Sequence, residues 1–457
     1  MQLLDRKDYR FSFFDGMCAH VYGTLVSGVF LTGFALYLNL SEFMIGLLAA
    51  IPYLVTLVQL PGSYYICRNG CRKKVAFRAA AAARLLWLPI LFLGLTPQFG
   101  PTANSLLIVA VFLVSHAFAQ VSYLAWLSWT SDLVPDEIRG TFFGTRNMLC
   151  GAAGIAAVLI FGNLVDIFEQ QRRFDLAAGV PVAAAVVFGL LSLHYMNRIA
   201  ESPPSPEPPS GVLQKLSGPF KEANFRRFLL FAFTWNFAVY FAAPFFSLYY
   251  LRDLKYSYGF VALLTTVGSV LDLIGMQVWG SVSDKIKNKA VIRMAGWGVV
   301  FLPALWVMVR PADLVIPIVL QIVSGGFWSG VNLCTHNLLL RLSPQAGKVW
   351  FISAYSIVAG LGAAIAPIIG GVVLMVLNAH GTSGGAGGWI SGAAGGWIPL
   401  HYIFIASTVM RLLSLQLLGW VREPQENSLR QALRKFNGRL RGLRPFLNRT
   451  VRRVRQG

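Results

Sequence analysis

The sequence predicts an all-α integral membrane protein, with twelve transmembrane helices in two pseudo-symmetric six-helix bundles. Three observations carry that reading. Of 457 residues, 56% are hydrophobic and only 13% charged, with a mean hydropathy of +0.59, more apolar surface than one water-soluble core can absorb. Apolar windows of roughly 20 residues, long enough to cross a hydrocarbon layer about 30 Å thick as helix, recur along the whole chain. Finally, Ser115 to Gly162 overlays Ser324 to Gly371 without a gap at a shift of 209 positions, pairing Phe118 with Phe327, Leu124 with Leu333, Pro135 with Pro344, Arg139 with Lys348 and Gly151 with Gly360. The chain therefore reads as two halves of one design.

In order, the expected spans are 12–38, 44–66, 75–95, 104–131, 141–166 and 174–197, then 226–251, 257–282, 290–309, 313–340, 348–378 and 397–421. None shows the period-two alternation of a strand, and a continuous chain crosses lipid with its backbone paired only as helix. This gives a first bundle over 1–197, a linker over 198–224, a second bundle over 225–421 and a basic tail over 422–457. The linker contains Ser202-Pro-Pro-Ser-Pro-Glu-Pro-Pro-Ser210, whose prolines block helix. Gly381 to Gly396 is a glycine-rich loop, with Trp389 and Trp397 at the interface.

Cations fix the expected orientation, because Lys and Arg in short loops stay on the cytoplasmic side. Arg6, Lys7 and Arg10 precede the first span, Arg68, Arg72, Lys73 and Lys74 follow the second, and Lys285, Lys287, Lys289 and Arg293 follow the eighth. Both termini are thus expected in the cytoplasm of a cell whose inner membrane holds the chain. The net charge of +20 is then topology, and nucleic acid is not an expected partner. The first span is too long for a cleaved signal peptide. In the tail, Leu429, Leu433, Phe436, Leu440 and Leu443 share one helical face among many arginines, a pattern that fits anionic lipid. Cys18, Cys150 and Cys334 lie in spans, and Cys67 and Cys71 in a cytoplasmic loop, so free thiols are expected and no metal site.

The loop after the eighth span reads Gly280-Ser-Val-Ser-Asp284-Lys285-Ile-Lys-Asn-Lys289. It resembles the major facilitator superfamily, whose loops after spans two and eight carry G-x-x-x-D-[RK]-x-G-x-[RK]. The first-half copy keeps Arg68, Gly70 and Arg72 but has Cys67 in place of the aspartate. Asp132 and Arg139, in the run Ser131 to Gly140, resemble the family's loop between spans four and five and are expected to supply ionic gating in the first half. Gly360 to Gly371, with Pro367 among small residues, resembles a glycine-proline signature that the family's drug antiporters carry in span five, where this chain has no proline. The resemblance implies alternating access, in which the halves rock about a central site while the loop contacts open and close. The driving force would be an ion gradient, since no G-x-x-x-x-G-K-[ST] loop is present to cradle phosphate.

Ionisable groups at mid-membrane are costly unless paired or wet, so they point to substrate and coupling ion. Asp272, Asp15 and His116 are the coupling candidates. His20, Tyr22, Gln120, Asn236, Tyr240, Asn332 and His336 are the cavity candidates. His116 and Gln120, like Asn332 and His336, stand one turn apart on a shared face. Arg84 and Arg411, in spans peripheral in this superfamily, are expected to snorkel or pair structurally. The expected function is proton-coupled transport of a small organic solute, neutral, cationic or amphipathic, by a monomer without cofactor or enzymatic chemistry. Alternatives are an efflux antiporter of amphipathic compounds and an uncoupled receptor or lipid scramblase.

Overall fold

With no water in the bilayer to accept them, backbone N–H and C=O groups pair within each apolar run, and the runs fold as helix. The structure is a computed structural model that describes residues 7–58, 62, 72–95, 100–201, 217–344, 348–382 and 397–423. In the first half the helices are α1 (Asp8–Tyr37), α2 (Glu42–Val58), α3 (Arg72–Phe92), α4 (Pro101–Leu133), α5 (Asp136–Gln170) and α6 (Phe174–Arg198). In the second they are α7 (Ala223–Asp253), α8 (Tyr258–Ile286), α9 (Asn288–Trp306), α10 (Val315–Leu342), α11 (Lys348–Thr382) and α12 (Pro399–Trp420). Eleven are long and apolar enough to cross a membrane. The shorter α2 runs into residues 59–71, of which only 62 is described.

Local chemistry explains where helices break. In α1 the helix stops at Leu25 and restarts at Gly28, whose φ of +54° suits a residue without Cβ. In α3, Leu86 and Trp87 form a turn ahead of Pro89, which sits in the first turn of the next segment, where its missing N–H costs nothing. The sequence repeat is a structural one: α4 ends at Leu133 and α10 at Leu342, 209 positions apart.

Within the first half α6 packs on α1, α5 on α1 and α4 on α3; within the second α8 and α9 pack on α10, and α11 and α12 on α7. The halves meet through α2 against α11 and α5 against α8. These contacts lie toward the end of the bundle that carries residues 37–42 and 253–258, here called the far end. Repeat partners Gly162 and Gly371 do the same work there. A Cβ on Gly162 would come 3.0 Å from the Tyr258 carbonyl, and one on Gly371 would come 3.0 Å from that of Glu42. The far end is also bound ionically, since Arg252 Nη1 and Asn378 Nδ2 both donate to Glu42 Oε1, at 2.7 and 2.9 Å.

At the terminal end, the loop after α8 is organised within the second half. Buried Glu423 accepts from the amides of Asn288 (3.4 Å) and Lys289 (2.8 Å) and pairs with Arg341 at 3.0 Å. Asp284 and Lys285 are exposed, and Asp284 makes no hydrogen bond or ion pair among the described residues. Gly280 packs against Leu333 of α10. Arg68, Gly70, Cys67, Cys71, the proline-rich linker, Trp389 and the tail beyond 423 lie outside the described residues, as do the side chains of Asp132 and Arg139.

Candidate functional site

Each half encloses a polar cavity. That of the first half, about 310 Å³, lies among α1, α3, α4, α5 and α6. At its base Arg84 Nη2 donates to Ser192 Oγ (2.8 Å), and Ser192 Oγ donates to Asp15 Oδ1 (2.5 Å). Arg146 Nη2 stands 3.9 Å from Asp15 Oδ2, with its guanidinium 4.1 Å from the centre of the Trp126 ring. One buried carboxylate thus faces two guanidinium groups, one of which, Arg84, keeps Nη1 buried without an acceptor among the described residues. Above it Tyr22 Oη and Ser115 Oγ both donate to the Ala83 carbonyl, at 3.4 and 2.7 Å. His116 Nδ1 lies 3.0 Å from the Phe112 carbonyl, with its ring against Phe112.

The second-half cavity, about 600 Å³, is walled by Trp235, Trp306, Trp328, Tyr240, Tyr250 and Tyr355, with Asn236, Asn332, Thr335, His336 and Arg411 as polar groups. Asn236 Nδ2 is turned back to the Ala232 carbonyl at 2.8 Å. Arg411, 3% exposed, donates Nη1 to the Val299 carbonyl at 3.1 Å. Tyr240 and Tyr53 meet across the two halves with ring centres 4.6 Å apart and planes tilted by 57°, over an apolar recess of about 280 Å³ that both line.

The fold brings Asp15, Tyr22 and His116 together in one cavity and Asn236, Tyr240, Asn332 and His336 in the other. It sets others apart. His20 packs on α5, where a Cβ at Gly154 would meet its ring, and Gln120 lies outside the residues lining the cavity below His116. Asp272 lies where α8 and α10 touch backbone to backbone: a Cβ on Gly325 would strike the Gly268 carbonyl and come 3.1 Å from the Asp272 amide. Its Oδ1 is buried without a hydrogen-bond partner among the described residues.

Of snorkelling and structural pairing, the two roles expected for Arg84 and Arg411, the structure shows pairing: they are 7% and 3% exposed, line the cavities and bond to Ser192 and to the Val299 carbonyl. Arg146, not among the candidates read from the sequence, projects from α5 into the first cavity. The signal for Arg146 was its place inside an apolar window, five residues past the expected start of the span, where an arginine reads as an end anchor. Among the described residues no cluster of His, Cys, Asp and Glu could hold a metal ion.

Comparison with solved structures finds the same architecture. The nucleoside transporter NupG superposes with a TM-score of 0.65 at 13% identity, over 91% of this chain and 98% of that one. A bacterial homolog to the human lysosomal transporter Spinster, inward-facing and unoccupied, gives 0.63 at 14% identity, over 91% and 98%. The inward open xylose transporter XylE from E. coli gives 0.61 at 14%, over 93% and 98%. At such identities the likeness is one of fold. Among curated protein sequences none matches. The family model described as Major Facilitator Superfamily matches residues 13–367, and with twelve helices in two repeated halves and a polar cavity in each, the chain belongs to that superfamily.

Proposed function

We propose that this chain carries a small organic solute across the membrane by alternating access, with a proton as coupling ion. The observation that carries the reading is the uneven closure between the halves. Close packing of α2 on α11 and α5 on α8 seals the far end, while Asp284 at the terminal end bonds to nothing in the first half among the described residues. Two half-sites on either side of a cleft closed at one end are what a rocking carrier needs. The loop cations support placing the terminal end in the cytoplasm, so that the structure is the inward-open member of the cycle.

For coupling, Asp272 is the stronger candidate. Asp15 is balanced by Arg84, through Ser192, and by Arg146, an arrangement that supports a fixed negative charge. Asp272 has no cation or donor bonded to it among the described residues, and an unpaired carboxyl at a helix contact can hold a proton in one state and release it when the contact opens. The seven aromatic residues of the second-half cavity, Phe246 among them, favour a substrate with an apolar body, and they keep efflux of amphipathic compounds as the second reading.

Solid-supported-membrane electrophysiology on proteoliposomes tests this with a panel of metabolites and drugs. A solute-dependent current under a proton gradient, lost in Asp272→Asn and kept in Asp15→Glu, is the expected result. A current that survives Asp272→Asn assigns coupling elsewhere. The absence of any solute-dependent flux, electrical or radiometric, argues for an uncoupled receptor or scramblase.

A further inference from the structure

The pseudo-symmetry of the halves exposes a difference in charge. In the first half, the first and last helices meet through Asp15 and Ser192, and Arg84 bonds to that pair. In the second half, the first and last helices meet through Thr234 and Ser414, whose hydroxyls lie 2.9 Å apart. Where the first half has a carboxylate, the second has a threonine. Its buried cation, Arg411, stands one turn from Ser414 on α12, and no carboxylate among the described residues pairs with it.

We propose that the second-half cavity binds an organic anion, whose charged group meets Arg411 and whose apolar body lies on the Trp328, Trp235 and Tyr355 rings. Four observations converge. Arg411 is 3% exposed and still lines the polar cavity of its half. It contacts a carbonyl at 3.1 Å and the Trp328 ring, 5.8 Å from the guanidinium carbon, neither of which neutralises it. Its Nε is buried without an acceptor among the described residues. Among those residues, too, no carboxylate lines the cavity. A guanidinium taken out of water without a counter-ion is costly, and its planar fork fits a carboxylate or phosphate through two parallel hydrogen bonds. The opposite wall agrees in sign, with Arg84 and Arg146 against Asp15 alone. Three guanidiniums to one carboxylate make a cleft attractive to a monoanion and repellent to an ammonium.

This assignment rests on the carrier reading for its meaning, but its test does not. The full-length protein in detergent is titrated with benzoate, 1-naphthoate and indole-3-acetate, each beside its own carboxamide and the corresponding methylamine or ethylamine. The rings stay constant within a series while the charge runs from −1 to 0 to +1. At least one carboxylate should bind about tenfold or more tightly than its amide, the amine weakest, by equilibrium binding and thermal shift. Arg411→Gln should erase that preference while leaving amide binding within about twofold, and Arg411→Lys should restore part of it, since charge returns without the fork. A merely structural role for Arg411, as a tie from α12 to Val299, would lower the melting temperature and weaken every ligand alike. Carboxylates that never exceed their amides, or a preference that survives Arg411→Gln, overturn the proposal. If Arg411→Gln yields no folded protein, the wild-type series and Arg411→Lys decide it. Proteoliposome currents separate the two readings. Anion selectivity without transport would leave the assignment standing and sink the carrier, and transport restricted to amides or amines would do the reverse.

Discussion

Asp166 holds the N-terminus of α8 across the boundary between the halves: Oδ1 accepts from the Tyr258 amide and Oδ2 from the Gly259 amide, each at 2.7 Å. The first amides of a helix have no partner within it and lie at the positive end of its dipole, so a carboxylate there satisfies two donors and a partial charge together. Asp166 comes from α5 and Tyr258 opens α8, so under the proposed alternating access this pair of bonds acts as a latch at the far end, opposite the loop that carries the sequence motif.

Asp166→Ala should therefore favour opening at the far end. With charge-assisted hydrogen bonds at about 2 kcal/mol, the balance between states shifts roughly thirtyfold. Spin labels at Asn39 and Lys255, both exposed at that end, should report a longer and broader distance in the variant. An unchanged distribution would mean that helix packing alone sets the closed state.

The packing itself gives the second prediction. A Cβ on Gly46 would overlap the Pro367 carbonyl of α11, so any side chain there pushes the α2 and α11 backbones apart at the far-end contact. Gly46→Val should cost the far-end-closed state about 1–3 kcal/mol and trap the carrier open at the far end, with solute flux reduced and the same spin-label pair moved apart. Gly151, whose Cβ would meet nothing within 4 Å, is the control, and Gly151→Ala should transport as wild type.

How much of this was visible in the chain follows from the range of each interaction. The halves, the helices and Asp272 are written in local windows and in a repeat that lines up without gaps. The partner of Asp15 is Ser192, 177 positions away, and no local pattern reports such a pairing. Arg84 and Arg411 stayed open between snorkelling and pairing for the same reason: an arginine in an apolar helix has one appearance in sequence whether it reaches for the interface or turns inward to a serine or a carbonyl. Glu423 lay beyond the last span and looked like the start of the tail. Only the fold puts it under the N-terminus of α9.

The Asp15, Ser192 and Arg84 chain yields a third prediction. Removing one member of a buried charged network leaves the other uncompensated, at about 3–5 kcal/mol, whereas removing both can cost less than the sum. Arg84→Gln should lower the thermal midpoint of unfolding more than Asp15→Asn, because Asp15 then retains only Arg146 at 3.9 Å. The double variant should recover part of the loss. Strict additivity of the two effects would show that the groups are energetically independent despite their geometry.

Glu423 carries the last. Its two oxygens accept from Asn288 Nδ2 at 3.0 Å and from the amides that open α9, and Arg341 of α10 reaches it at 3.0 Å. One buried carboxylate thereby ties the end of α12 to two other helices of the second half. Asn288 and Lys289 close the Gly280 to Lys289 motif, so the tie holds the motif's C-terminal end on the second half. Glu423→Gln keeps the shape but weakens acceptance from four donors, at about 1–3 kcal/mol in all. Hydrogen exchange should quicken about 5- to 100-fold at the first amides of α9 and stay unchanged at the Asp166-bound amides of α8. If protection falls equally at both ends, Glu423 stabilises the whole bundle, and the terminal end has no local device that holds its loop through the cycle.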